Sequence, residues 1–210
     1  MTIFYHEQLY RSGEVMRRVS EQLVTVCGAG ALGANITESL ARSGFAKLRV
    51  IDRDRVEERN LSTQPFYRAD IGAHKAKILA NSLYRAVGVQ VDARALELKG
   101  DNARKLLDGV VVDAFDNSAS RAAVKAACEE AKLPCLHVGL ANGYAEVIWN
   151  ESYRVPSDAQ DDICDYPLAR NLVMLTAAVA CEVVTTYVAA GRRESFTITL
   201  TDFAVRPFGV

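Results

Sequence analysis

A short β-branched run, Leu23-Val24-Thr25-Val26-Cys27, feeds the glycine pattern Gly28-x-Gly30-x-x-Gly33, and a helix-forming run from Ala34 to Ser43 follows. No other stretch narrows the fold as far, because glycine spacing carries meaning when a strand enters it and a helix leaves it. Gly28 permits a tight turn, Gly30 lets backbone approach a phosphate, and Gly33 lets the helix pack close to the strand. The helix start then offers N–H groups and the positive end of a dipole to an anion. Leu48-Arg49-Val50-Ile51-Asp52 reads as the second strand, with Asp52 lying 24 residues beyond Gly28. At that place a carboxylate can accept from ribose hydroxyls. A packing turn without a ligand is the plain alternative, and the coincidence of strand, glycines, helix and acid argues against it.

The rest of the chain alternates in the same way. Residues 5–22 form a charged, helix-capable arm whose Leu9, Val15, Met16 and Val19 make an apolar stripe. Arg53 to Gly72 is a long polar connection, and a 20-residue connection inside a compact domain is usually functional or disordered. Its Phe66, Tyr67 and Ile71 favour an ordered, functional loop. Ala73 to Val87 is helical, with Ile78, Leu79 and Leu83 on one side; Val89 to Ala93 is a short strand; Asp101 is placed to cap a helix through Leu107. Val110 to Ala114 is a buried strand by its apolar run. Asp116-Asn117-Ser118 turns into a helix from Arg121 to Ala131, Pro134 stops it, and strands follow at Cys135–Gly139 and Gly143–Trp149. A polar loop, Glu151 to Tyr166, leads to Pro167, a good first-turn residue for a long helix to Ala190. Ser195 to Thr201 alternates as the final strand. This order predicts one α/β domain over 1–210, a Rossmann-like, doubly wound and mainly parallel sheet with antiparallel later strands.

Bulk properties exclude several classes. With 25 Lys and Arg against 26 Asp and Glu, the net charge is −1, so no global basic field draws nucleic acid or a membrane surface. The five cysteines (Cys27, Cys128, Cys135, Cys164, Cys181) contain no CxxC pair, so no structural zinc is expected. Reduced thiols and a cytoplasmic location are the expectation, with no basic-then-apolar leader pattern at the start. The longest apolar stretch, Leu172 to Cys181, is well short of the ~20 residues that a membrane span needs.

Ligands of such sheets bind at the carboxyl ends of the strands. The glycine turn, Asp52 with Asp54, the Asn60 loop and Asp116-Asn117 all fall there, and Lys75 follows shortly after the Asn60 loop. In these pieces the chain resembles the ThiF/MoeB/HesA family, bacterial relatives of ubiquitin-activating enzymes. The resemblance runs from about Tyr5 to the long C-terminal helix. It is carried by Gly28-Ala29-Gly30-Ala31-Leu32-Gly33, Ile51-Asp52-Arg53-Asp54, Asn60-Leu61-x-x-Gln64, Asp70-Ile71-Gly72-x-x-Lys75, and Asp116-Asn117 with Arg121. It implies ATP and Mg²⁺, and adenylation of the C-terminal carboxylate of a ubiquitin-like or sulfur-carrier protein ending in Gly-Gly. By that resemblance Asp52 holds the ribose, Asn60 and Lys75 contact phosphates, and Asp116 binds Mg²⁺, with Asp54, Gln64, Asn117 and Arg121 completing the nucleotide site. Such chemistry needs this set, since a lysine, a metal and backbone N–H groups offset the charge that grows on departing pyrophosphate. The resemblance also implies a homodimer or heterodimer.

Two positions depart from the family pattern. Asn60-Leu61-Ser62-Thr63-Gln64 has Thr63 where the family has a phosphate-binding arginine. Phe4-Tyr5-His6-Glu7-Gln8 has Glu7 where an arginine reaches the partner protomer's ATP. Arg59, Arg68, Arg11 or an arginine of a partner are the candidates to compensate. Cys164 is the one cysteine in a polar loop and thus the candidate for a thiol step. Its neighbours Asp161, Asp162 and Asp165 are of the wrong sign for a reactive thiolate.

Bland roles stand beside these. Asp116 has a cap position and Lys75 a first-turn position open to solvent; His137, in an apolar strand, reads as a satisfied core histidine. His6 and His74 default to exposure, and Trp149 to packing. Arg17-Arg18 and Arg192-Arg193 read as solvated pairs. Two other functions remain open: a non-catalytic or partner-dependent subunit that keeps the nucleotide fold, motivated by Glu7 and Thr63, and an NAD-dependent oxidoreductase, motivated by the glycines and Asp52. The second lacks room for a substrate domain after Gly143 and gives Asn60 and Lys75 nothing to do.

Overall fold

The computed structural model describes residues 2–156 and 168–209. Its centre is one eight-stranded sheet in the order β3-β2-β1-β4-β5-β6-β7-β8. Strands β1 (Leu23–Cys27), β2 (Lys47–Ile51), β3 (Val91–Arg94), β4 (Val110–Asp113) and β5 (Cys135–Ala141) run parallel. Strands β6 (Tyr144–Trp149), β7 (Phe196–Thr199) and β8 (Ala204–Pro207) add in antiparallel order, as expected, although the 21-residue helix Arg170–Ala190 lies between β6 and β7, so the lack of an intervening helix explains only the β5–β6 and β7–β8 pairs. The expected last strand is thus followed by one more, β8, reached by a tight turn at Asp202-Phe203 that the alternation up to Thr201 concealed.

Helices cover both faces. On one side lie α2 (Gly13–Glu21), α3 (Ala31–Arg42), α4 (Lys75–Val87) and α7 (Arg170–Ala190), packed on Val24, Val26, Leu48, Val50, Val112, Leu136, Val138 and Val147. On the other, α5 (Gly100–Leu106) and α6 (Ser118–Ala131) pack on Cys27, Ile51, Val111 and Cys135. The central strands are buried on both faces, which is why they read as unbroken apolar runs instead of alternating ones.

The N-terminal arm is two helices, not one. α1 (Tyr5–Tyr10) ends at Arg11, and Ser12 caps α2 by accepting from the Val15 N–H at 3.2 Å. Met16 and Val19 are buried, but Leu9 is 67% exposed, because the break at Arg11-Ser12 takes α1 off the helical stripe. Asp101 is not a cap: α5 starts one residue earlier, and Asn102 Oδ1 accepts from the Lys99 N–H at 2.9 Å. The long connection after β2 is ordered by two 3-10 turns, Glu58–Ser62 and Arg68–Asp70; Phe66 is buried beneath it, while Tyr67 and Ile71 face out.

α7 is 21 residues long and apolar enough by length and composition to cross a membrane. The expectation that no stretch here is long enough thus fails when the whole helix is counted. Half of it is buried within this fold, against α3, α2, β5 and β6. Pro167 and Cys164, with Asp161, Asp162 and Asp165, lie outside the described residues.

Candidate functional site

The sheet order changes direction between β1 and β4, the place where a crevice opens at strand ends in folds of this kind. The glycine turn closes β1 there. Gly28 has φ +96°, a left-handed conformation that side chains disfavour, and its N–H donates to the Ile51 carbonyl at 2.8 Å. A Cβ on Gly33 would lie 2.0 Å from the Gly28 carbonyl oxygen, so the first turn of α3 sits directly on the turn below. A Cβ on Gly30 would meet nothing within 4 Å. Gly30 is the residue that opens α3, whose first N–H groups lack helical acceptors. The three glycines therefore separate by physical cause: backbone conformation at Gly28, close approach at Gly33, and open space at Gly30.

Asp52 leaves β2 beside this turn and is 6% exposed. Its Oδ2 accepts from the Ala29 N–H at 2.6 Å and its Oδ1 from the Asp54 N–H at 2.6 Å. Burial raises its pKa, while those two N–H groups and the charge of Lys75 work the other way. Lys75 is not a solvated first-turn lysine. It is 8% exposed, its N–H donates to the Asp54 carbonyl at 3.0 Å, and its Nζ lies 3.6 Å from Asp54 Oδ2. The glycines, Asp52, Asp54 and Lys75 thus form one connected corner.

Asn60 and Gln64 sit on the 3-10 turn that follows. Asn60 Oδ1 accepts from the Glu57 N–H at 2.9 Å and the Asn60 carbonyl accepts from the Gln64 N–H at 2.9 Å. Gln64 is 8% exposed, and its Oε1 has no hydrogen-bond partner among the described residues. A buried amide oxygen without a donor is rare enough to point at a missing one. Thr63 is buried, and its carbonyl accepts from Asn35 Nδ2 at 2.8 Å. Asn35 also donates to the Ala31 carbonyl at 2.7 Å, so it ties this turn to α3. Sequence reasoning missed Asn35; a buried amide within an apolar helix was the available signal.

Asp116 is exposed at the end of β4, with no hydrogen bond or ion pair among the described residues. It does not cap α6. Asn117 does, accepting from the Ser120 N–H at 2.8 Å, so the cap reading of Asp116 is corrected by one residue. No cluster of three or more His, Cys, Asp or Glu able to hold a metal exists among the described residues. A free carboxylate at a strand end suits Mg²⁺ carried on phosphates, which needs one or two protein carboxylates, and does not suit an all-protein cage. Arg121, 8% exposed, donates to the Tyr153 hydroxyl at 3.1 Å and to the Val138 carbonyl at 2.8 Å.

The candidate compensating arginines differ. Arg11 is held by Glu7 at 2.9 Å and by both oxygens of Glu182, at 3.1 and 2.6 Å, and these carboxylates hold its pKa above the ordinary value. Glu7 therefore serves an ion pair within this chain. Arg59 pairs with Glu57 at 2.6 Å, and Arg68 is exposed. His137 is the satisfied core histidine expected of it, bonded at both ring nitrogens. His6 is exposed; His74, which precedes α4 and bridges to Arg55, is half-buried, with Nδ1 buried and without a partner among the described residues. Trp149 is buried against Tyr187 and Arg193, which also pairs with Glu151. Arg17 and Arg18 make surface pairs one helical turn away with Glu21 and Glu14.

The ThiF family profile matches residues 5–201. A sulfur carrier protein adenylyltransferase of Thermus thermophilus is 34% identical over 125 residues, which cover 56% of this chain and 46% of that protein. A tRNA threonylcarbamoyladenosine dehydratase of Haemophilus influenzae is 28% identical over 137 residues, covering 62% of this chain and 52% of that protein. Among solved structures, E. coli MccB with ATP superposes with a TM-score of 0.81 at 19% identity, covering 96% of this chain and 68% of MccB. At that identity the likeness speaks for the fold. The chain spans about half the length of the curated relatives it matches.

Proposed function

The chain belongs to the ThiF family, and from that premise we propose that it uses ATP to adenylate a carboxylate, the C-terminal one of a small ubiquitin-like or sulfur-carrier protein. The observation that carries the reading is the corner of Gly28, Gly30, Gly33, Asp52, Asp54 and Lys75 at the sheet's switch point, with the exposed Asp116 two residues past Ala114, whose carbonyl approaches Gly28. A nicotinamide enzyme has no use for a buried lysine and an unpaired acid there.

In this reading the backbone at Gly30 lies against phosphate, since open space meets a missing Cβ there. Asp52 keeps the turn in shape through the Ala29 N–H and presents its remaining lone pairs to the ribose. Lys75, held beside Asp54, places a positive charge near the phosphates. Asn60 and Gln64, whose Oε1 has no partner among the described residues, would add polar contacts to the nucleotide. Asp116 would hold Mg²⁺, which supplies charge neutralisation to the phosphates as a Lewis acid. A carboxylate oxygen of the acceptor attacks the α-phosphorus, the bond from that phosphorus to the bridging oxygen breaks, and pyrophosphate leaves with the electron pair. Backbone N–H groups and Lys75 stabilise that departing charge.

ATP–pyrophosphate exchange with small carrier proteins ending in Gly-Gly tests the reading. Exchange that needs the carrier supports it. Tighter binding of NAD than of ATP in a calorimetric titration would overturn it. A second reading is favoured by Glu7 and Thr63: the chain is a subunit whose exchange requires a partner chain. Arg11 is already committed to Glu7 and Glu182, so a missing cation would come from elsewhere. Apolar surface at Leu9, Tyr10 and Met174 supports a dimer, which sedimentation at micromolar concentration tests. The relation to the dehydratase supports trying a nucleoside-borne carboxylate as a further acceptor.

A further inference from the structure

Where β4 ends beside the first half of β5 lies a set of polar side chains that the adenylation reading does not use. Asp113 and His137 are fully buried neighbours in the parallel register of β4 and β5. Asp113 Oδ2 lies 2.8 Å from His137 Nδ1; a carboxylate only accepts, so Nδ1 carries the proton. The other nitrogen, Nε2, therefore accepts, and the Asn150 side-chain amide 2.6 Å away satisfies it with its NH2 turned to the ring. The ring of Tyr153 stacks on the imidazole, with centroids 3.7 Å apart and planes 9° from parallel. Arg121 donates to the Tyr153 hydroxyl and lies 3.9 Å from Asp113. Every degree of freedom of the imidazole is thereby taken.

Such a cluster is costly to bury. A polar group left unpaired there is strongly destabilising, and apolar residues of the same volume would fill the space at less risk. What the cluster supplies is a fixed direction. Asp113 Oδ1, the oxygen not used by His137, accepts from the Phe115 N–H at 3.2 Å. That bond folds the chain just past β4, and the next residue is Asp116. The same turn touches the glycine turn, since a Cβ on Gly28 would come within 3.0 Å of the Ala114 carbonyl.

We propose that His137 is a positioning residue: held by Asn150 and Tyr153, it fixes the Asp113 carboxylate, which through the Phe115 N–H sets where the Asp116 carboxylate stands. The inference rests on the reading of Asp116 as the Mg²⁺-holding acid. His137 is too deep to touch a ligand, so its effect runs entirely through Asp113 and the turn.

Two readouts in the full chain test it. The first is the ratio of ATP affinity with and without Mg²⁺, by calorimetry, for wild type, His137→Gln, Asp116→Ala and the double variant. His137→Gln should reduce the Mg²⁺-dependent gain about ten- to a hundredfold, the range seen when a residue supporting a metal ligand is lost. In the Asp116→Ala background the same substitution should change nothing, because the two act in series. A merely structural histidine would shift both backgrounds alike, and that result overturns the proposal, as does an unchanged ratio in the first. The second readout is amide hydrogen exchange over residues 114–118, which needs no ligand. It should rise at least about tenfold in His137→Gln while β1 and α7 keep their protection; no rise overturns the proposal. If wild-type chain shows no Mg²⁺-dependent gain at all, the role given to Asp116 fails, and exchange alone then decides whether His137 positions the turn. Asn150→Ala, which removes one of the two bonds to the ring, carries both readouts should His137→Gln not fold.

Discussion

Substituting alanine at Gly33 and at Gly30 should have opposite consequences, three residues apart in one motif. At Gly33 the new Cβ would stand 2.0 Å from the Gly28 carbonyl oxygen, 2.8 Å from its carbon and 3.4 Å from the Ala114 Cβ. A carbon and an oxygen in contact need roughly 3.2–3.5 Å, so α3 must retreat by more than about 1 Å from the turn. That retreat lifts Ile36, Leu40 and Ala41 off the sheet, all of them fully buried. Overpacking of this kind costs about 1–3 kcal/mol or more, against which the better helix propensity of alanine returns about 1. For a chain of this size each kcal/mol moves Tm by about 2–4 °C, so Gly33→Ala should lower it by several degrees. At Gly30 the Cβ meets nothing within 4 Å and φ is −78°, which any residue adopts. The expected cost is a weaker helix start, under about 1 kcal/mol. On the proposed placing of the nucleotide, the methyl would stand in the way of a phosphate at the mouth of the crevice. Thermal denaturation and ATP titration of both variants make the test. Gly33→Ala with an unchanged Tm would refute the close-approach argument; Gly30→Ala with undiminished ATP affinity would refute the placing of phosphate at this turn.

Three further outcomes are expected. Asp116→Ala should abolish pyrophosphate exchange without loss of stability, since Asn117 is the cap, whereas Asn117→Ala should cost about 1 kcal/mol in chemical denaturation and affect stability first. Burial lifts the Cys181 thiol to about 12 and raises Cys27 and Cys135 as well. At pH 8 only about one Cys181 in ten thousand is thiolate, so these three should resist alkylation until the chain unfolds, and rapid native labelling at any of them, read by mass spectrometry, would contradict it. Burial also raises the Asp52 carboxyl. The folded state therefore holds that proton more firmly than the unfolded one. The stability this contributes is complete below the unfolded value near 3.8 and is lost as pH rises through the folded value. Asp52→Asn removes it, so the variant should lose stability more steeply than wild type as pH falls through that window.

Much of the candidate site could be placed from the sequence because its residues are local to strand ends. The glycines, Asp52, Asp54 and Asp116 each follow a strand within a few residues, and strand ends are where such sheets bind ligands. Lys75 was legible as a residue but not as a buried one: its burial depends on the Arg53–Gly72 connection folding back so that Asp54 accepts the Lys75 N–H. The cap was off by one residue because aspartate and asparagine both cap well and adjacent positions differ only in φ and ψ. The fate of Arg11 and Glu7 was out of reach, since their partner Glu182 lies on α7, 171 residues from Arg11.

Periodicity and turn chemistry within the amino-acid sequence determined the parallel sheet, the antiparallel continuation, the glycine turn and the acids around it, because each depends on residues a few positions apart. Tertiary structure alone decided that α1 and α2 part at Ser12, that β8 extends the sheet, that α7 buries one face along its length inside the fold, and that His137 meets Asp113, Asn150 and Tyr153. Those outcomes join residues distant in the chain. A histidine in an apolar strand carries no mark of which carboxylate its neighbouring strand will set beside it; strand register supplies that.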